Sequence, residues 1–274
     1  MLRDAAVIDA MRWHGDCDTV FHIINRSTGE TSKVVYTSEA FFFLHTINAY
    51  EETGVGSNPS YIVIDIALYK NPHMLHCMTL SALQTAQSDP TYAKRFRGRP
   101  HRFVLPLNPN LSSKTNLVHL PYTKAKAHAD KKGHIRLTPQ QICNVGCETP
   151  TINYTLKSGK PYRYFYAITA DVDDVISAGQ AYKVDTWTGE VKSHAENQLY
   201  LAEPTFVPRP GSTEEDDGVI VASAIKGAPD VDYTALCVFD GKTMKEIARA
   251  EFRLGGPVPK PLHGFFTGNN LASF

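Results

Sequence analysis

AYKVDTWTGEVKSHA, residues 181–195, is an apolar strand that closes on Asp185, a polar turn, and a second strand, which is the layout of a β-hairpin. Two other stretches share it: FHIINRSTGETSKVVY (21–36) turns after Asn25, and LCVFDGKTMKEIARAEF (236–252) turns after Asp240. Asn25 and Asp185 are 160 residues apart and Asp185 and Asp240 are 55 apart, so the longer interval is close to three of the shorter. A repeat of that length is the size of a propeller blade, and the chain has room for about four to five of them. Three unrelated hairpins in a β-sandwich fit the spacing equally well.

The sequence around these hairpins is that of a β scaffold. Short β-branched and aromatic runs occupy 34–36, 61–66, 102–105, 162–167, 219–224 and 236–239, with Pro and Gly spread between them. Only Met74 to Lys94 has a helical rhythm of apolar residues, and Pro90 interrupts its end. The expectation is an all-β chain with one or two short helices. The acidic run Glu214-Glu215-Asp216-Asp217-Gly218 is expected to be a solvated turn between blades, because like charges packed this closely need water.

Composition narrows the function. The 274 residues carry 28 Lys and Arg against 28 Asp and Glu, so the electrostatic footprint of a nucleic-acid binder is missing and no nucleic-acid partner is expected. No apolar run approaches the roughly 18 residues of a membrane span. The first residues, MLRDAAVIDAM, lack the continuous apolar core of a secretory signal. Five scattered cysteines fit a reducing, cytoplasmic location, where the N-x-S/T triplets at Asn25, Asn110 and Asn153 have no glycosylation role. Cys143 and Cys147 lack the second thiol pair of a closed zinc site and are expected to be packing residues. Glycine-rich phosphate loops, G-x-S-x-G elbows and H-E-x-x-H helices are absent.

Among eleven histidines, His14, His73, His101, His128, His134 and His194 sit among polar neighbours and are expected at the surface. His45, after Phe41-Phe42-Phe43-Leu44, and His263, in Pro261-Leu262-His263-Gly264-Phe265-Phe266, have apolar flanks and are expected to be buried. A buried neutral imidazole is an efficient ligand for iron or zinc, although a satisfied core histidine fits each one taken singly. Glu148 and Glu203 share the apolar setting, and a carboxylate there needs a partner such as the free N–H of a metal-bound imidazole.

At these four places the sequence resembles the carotenoid cleavage oxygenases. The resemblance runs over essentially the whole chain and rests on FFFLHTINAYEE (41–52), CETPTINY (147–154), AEPTFVPRP (202–210) with EEDDGVIV (214–221), and PLHGFF (261–266). It implies part of a seven-bladed β-propeller that holds Fe(II) on its axis through four histidines, three of them hydrogen-bonded to glutamates. His45 and His263 match two of the iron ligands, and Glu148 and Glu203 the carboxylates that orient them. The implied activity is dioxygenase cleavage of a double bond in an apolar polyene, a carotenoid or retinoid, by O2, giving aldehyde products. Thr149 and Leu262 stand where the retinoid isomerohydrolase of the family has Phe, which favours carotenoid cleavage over retinyl-ester isomerohydrolysis.

Family members are roughly twice this length, and the motifs of their other two ligands are missing here. The chain therefore resembles the C-terminal portion of the propeller domain over residues 1–274, an open arc of about four blades, with Met1 an internal methionine of a longer ancestor or the start of a truncated gene. Such a portion implies a complementing N-terminal half and, in the full-length protein, peripheral membrane contact for substrate uptake. The rival from another class is a catalytically inactive propeller fragment acting as a binding or regulatory module.

Overall fold

The computed structural model describes residues 11–53, 60–85, 91–169, 171 and 179–267. The chain divides into two compact units, residues 1–142 and 143–274, each with two open sheets. The first unit contains β1 (Thr19–Phe21), β2 (Tyr36–Ser38), β3 (Phe42–Glu52), β4 (Tyr61–Tyr69), α1 (Leu80–Thr85), β5 (Arg99–Pro106), β6 (Lys126–Ala129), β7 (Ile135–Thr138) and β8 (Gln140–Gln141). Its sheets run β1-β2-β7-β6 and β3-β4-β5-β8, and every pair is antiparallel except β2 with β7. Phe41 and Phe103 stack at 5.1 Å between ring centres, Phe21 lies 5.1 Å from Phe103, and the Tyr36 hydroxyl donates to the Pro106 carbonyl at 2.7 Å, so aromatic contacts join the two sheets.

The second unit contains β9 (Glu148–Thr151), α2 (Tyr154–Lys157), β10 (Tyr164–Ile168), β11 (Ala181–Asp185), β12 (Val191–Ser193), β13 (Leu199–Leu201), β14 (Thr205–Pro208), β15 (Gly218–Lys226), β16 (Tyr233–Asp240) and β17 (Glu246–Arg253). Its sheets run β12-β11-β10-β9 and β13-β15-β16-β17, with β14 also paired to β15. Burial alternates along β15 and β16, as a half-buried antiparallel sheet requires, whereas β11 is buried throughout. Tyr166 of β10 stacks on Phe206 of β14 at 5.4 Å and donates its hydroxyl to the Gly241 carbonyl at 2.7 Å, joining the sheets.

The three hairpins read from the sequence are present and share one turn. In each, the side chain of Asn25, Asp185 or Asp240 accepts backbone N–H groups two and three residues ahead. The main chain then closes through a residue of positive φ at the fourth position: Gly29 (74°), Gly189 (77°) and Met244 (58°). A fourth hairpin, β6–β7, uses the same device one residue shorter, with Asp130 accepting from Lys132 and His134 and Gly133 at φ 79°. Its shortened turn, DKKGH, does not align with the other three.

Two short α-helices are present among the described residues, as expected; the extent of the first is refined and the reading of the acidic run is corrected. The helical stretch from Met74 is a 3-10 segment (Pro72–Met78) and the single-turn α1, followed by another 3-10 turn (Ala93–Phe96), while Pro90 lies outside the described residues. The acidic run is neither blade-to-blade nor simply solvated: it links β14 to β15 within one sheet and grips the neighbouring sheet. Glu215 Oε1 accepts the backbone N–H groups of Arg163 and Tyr164, each at 2.7 Å, and its other oxygen lies 3.3 Å from Lys157 Nζ. Asp216 pairs with the buried Lys183 at 2.5 Å. Close-packed like charges need counter-charge or N–H donors, and here protein groups supply both. No helix among the described residues is long and apolar enough to cross a membrane.

Candidate metal centre

His45 lies in β3, the edge strand of its sheet, where the ladder to β4 is broken twice. Phe43 faces Leu68, Thr46 faces Ile66 and Asn48 faces Asp65, so each step inserts one extra residue on the β3 side. Bulges of this kind re-aim side chains and occur preferentially at edges and beside active sites. Glu148, at the start of β9, has a similar setting. The β9–β10 register shifts beside it, and the next residue, Thr149, is held at φ 44°, a conformation that a β-branched residue rarely adopts. Tyr182, wholly buried, donates its hydroxyl to the Gly146 carbonyl at 2.7 Å and so anchors the lead-in to Glu148. Burial holds that phenol well above its ordinary pKa.

Glu203 lies between β13 and β14 and reaches the C-terminal segment. Its Oε2 sits 3.3 Å from His263 Nδ1 and accepts the Gly264 N–H at 2.8 Å. A carboxylate can only accept, so Nδ1 carries a proton in this contact, which is the arrangement a metal-bound imidazole has toward its orienting carboxylate. Both residues line a cleft of about 280 Å³ whose other walls include Val221, Ser223, Leu236 and Phe265. An imidazole that hydrogen-bonds a carboxylate through one ring nitrogen is a donor type that fits a borderline metal ion.

The expected burial of these groups needs correction. The His263 side chain is 56% exposed, and Leu262, Phe265 and Phe266 beside it are exposed too. Their segment forms no strand among the described residues, and apolar flanks bury a side chain only when a second surface covers them. His45, Glu148 and Glu203 are half-buried rather than enclosed. The structure brings Glu203 and His263 together within the second unit, whereas His45 belongs to the first unit and Glu148 to the second. Cys143 and Cys147 are buried and form no disulfide among the described residues.

Sequence reasoning missed a second cluster. His194, expected at the surface, is half-buried with its ring 4.9 Å from Phe239, and His194, Glu196 and Glu246 place ligand atoms within 4.8 Å of one another. Arg249 already bridges the two carboxylates, at 2.5 Å from Glu196 and 2.6 Å from Glu246, and its hydrogen bond lowers the Glu196 pKa. A guanidinium thus takes the place a cation would fill. His101, also expected outside, is half-buried, and burial lowers its pKa. His14, Asp16 and Cys17 form a further, exposed group.

The family model for the retinal pigment epithelial membrane protein, RPE65, matches residues 2–268. The chain is 40% identical to carotenoid isomerooxygenase of Galleria mellonella, over 94% of this chain and 45% of that protein, and 36% identical to the Drosophila melanogaster enzyme, over 95% and 51%. It is 33% identical to the mitochondrial carotenoid-cleaving dioxygenase of Macaca fascicularis, over 97% and 47%. The chain therefore spans about half the length of these relatives. Among solved structures, cobalt-substituted Synechocystis apocarotenoid oxygenase superposes with a TM-score of 0.63 at 23% identity, over 93% of this chain and 45% of that one.

Proposed function

The chain belongs to the retinal pigment epithelial membrane protein family, and we propose that it is the portion of an Fe(II)-dependent, carotenoid-cleaving dioxygenase that supplies two iron-binding imidazoles, His45 and His263, with Glu148 and Glu203 as their orienting carboxylates. The observation that carries this reading is the 3.3 Å approach of Glu203 Oε2 to His263 Nδ1. The likeness to carotenoid-cleaving relatives supports the polyene substrate and O2, and the cobalt-substituted apocarotenoid oxygenase supports a metal at the centre.

When bound, the iron supplies activation of O2 for addition across a double bond. The residues of this chain do the rest of the work assigned to it. Glu203 keeps the proton on His263 Nδ1 and fixes the ring plane, and its second hydrogen bond, from Gly264 N–H, holds the backbone so that the ring cannot swing away. The family resemblance implies the same task for Glu148 toward His45. Val221, Leu236 and Phe265 offer an apolar wall that favours a polyene over water.

Two imidazoles leave most of an iron coordination sphere to water, so the chain by itself is proposed to be an incomplete enzyme that requires a complementing N-terminal half. The 56% exposure of His263 favours, as a second reading, a catalytically inactive module that binds without cleaving. The test is residues 1–274 reconstituted anaerobically with Fe(II), then assayed for aldehyde release from β-carotene in micelles, with and without the N-terminal half of a relative. The first reading predicts turnover only with the added half, abolished by His45→Ala. Absence of turnover in the complemented sample favours the inactive module.

A further inference from the structure

One row of polar residues crosses the sheet that carries His45. Asn48 of β3 faces Asp65 of β4, Asp65 faces Arg102 of β5, and Arg102 faces Gln140 of β8, so a single register level holds four polar side chains. Three of them are buried: Asn48 at 8% exposure, Asp65 at 0% and Arg102 at 1%. On the same face, the next levels of the inner strands are apolar, Val63 with Val104 and Ala67 with Pro100. Asp65 takes Arg102 in a two-pronged grip, Nε to Oδ1 at 2.8 Å and Nη2 to Oδ2 at 2.7 Å. The guanidinium lies 5.4 Å from the Tyr122 ring, whose hydroxyl donates to Glu52 Oε2 at 3.1 Å and lies 3.3 Å from the Tyr50 hydroxyl.

A buried ion pair adds little net stability over apolar residues of the same volume, and its best-attested use is to select one register among several. Register is in question here. Between Phe43 and Asn48 four residues of β3 stand against two of β4, and the polar row lies where regular pairing resumes. The slip totals two residues, so side-chain alternation is preserved, and an annealed strand without bulges would present the same faces. In that strand Asn48 would oppose Val63 and Tyr50 would oppose Tyr61, which takes the Asn48 amide off the polar level and Tyr50 away from Tyr122. Each buried polar group left unsatisfied costs about 1–3 kcal/mol.

We propose that the Asn48–Asp65–Arg102–Gln140 row is a register key: it fixes β3 after the double slip and so holds His45 in the bulge. The four are positioning residues. The proposal rests on the iron reading only for the task given to His45, since the key itself concerns strand pairing.

The test uses isotope-labelled residues 1–274 without metal, and reads cross-strand NOEs from Asn48 together with the His45 ring signals. Asp65→Leu with Arg102→Met removes the pair without leaving a buried charge. The double variant is expected to melt no lower than the parent, to lose the contact between positions 48 and 65 in favour of 63, and to shift or double the His45 signals. A neutral pair, Asp65→Asn with Arg102→Gln, is expected to restore one register. A purely structural role would move the melting temperature and leave the register alone. An unchanged 48–65 contact with one parental set of His45 signals overturns the proposal. If the double variant does not fold, Asn48→Val is read the same way: a second register supports the key, and an unchanged one overturns it. Cobalt(II) added to the parent separates the two ideas, because a parent that keeps its register and binds no metal sinks the iron reading and leaves the key standing.

Discussion

Glu203 does two things with one oxygen, holding the His263 ring and the Gly264 backbone. Glu203→Gln can still accept from both but no longer stabilises a metal-bound imidazole electrostatically. Carboxylates behind metal ligands are typically worth about 10- to 100-fold in affinity or activity. The variant is expected to weaken Co(II) binding by that order while its thermal transition stays where it was, and calorimetric titration beside a melting curve checks both halves. Thr149 poses a different question, because φ 44° strains a β-branched residue by roughly 1–2 kcal/mol. In Thr149→Gly the relief is offset by extra freedom of the unfolded chain. Stability is therefore expected to change by less than about 1 kcal/mol, with Glu148 less firmly placed, and denaturant melts read the first expectation directly. At this scale the sequence was legible in part. The apolar flanks of His263 pointed to the residue itself and misjudged its exposure, because flanking residues do not say whether another layer covers them.

The hairpin turns are the elements the sequence announced most clearly. An Asn or Asp at the end of an apolar strand, followed by a polar turn and a second strand, leaves a visible pattern, and three of the four turns followed it, although the residue of positive φ is glycine in two of them and Met244 in the third. The β6–β7 turn escaped because deleting one residue destroys the alignment while keeping the chemistry. Asp240 accepts from Lys242 N, Thr243 N and Thr243 Oγ1, and the Thr243 hydroxyl bond lowers its pKa. Asp240→Ala is expected to cost about 1 kcal/mol or somewhat more, whereas Asp240→Asn preserves the turn as Asn25 does in its own hairpin. A carboxyl with a lowered folded-state pKa contributes fully above its unfolded value of roughly 3.9 and loses that contribution as pH falls through the lower folded value. The Asp240→Asn protein should thus lose less stability than the parent between pH 5 and pH 2, about the range in which such carboxylates titrate; parallel acid melts decide this. The acidic turn was misread because charge density alone does not reveal that backbone N–H groups and Lys183 wait on the next sheet. Glu215→Ala strips two backbone donors and Lys157 of their acceptor, and a loss of about 2–3 kcal/mol is expected in a denaturant titration. The bulges around His45 left no trace in the sequence, since an extra residue in a strand looks like any other residue.

At the scale of the molecule, the four motifs together with the hairpin spacing foresaw an all-β chain of about four blades, and the described residues form four sheets. The parallel contact of β2 with β7, which joins two hairpins into one sheet, could not be read from local pattern because it pairs segments about a hundred residues apart in the chain. The central proposal, which follows from the family resemblance, is that His45 and His263 serve one metal ion. The most direct measurement is an anaerobic Co(II) titration of residues 1–274 followed by NMR, reading paramagnetic broadening of the two imidazoles separately. The account predicts that both rings broaden along a single binding curve, and that His45→Ala or His263→Ala weakens the response of the remaining ring. Two independent curves, or broadening of one ring that ignores loss of the other, would contradict it.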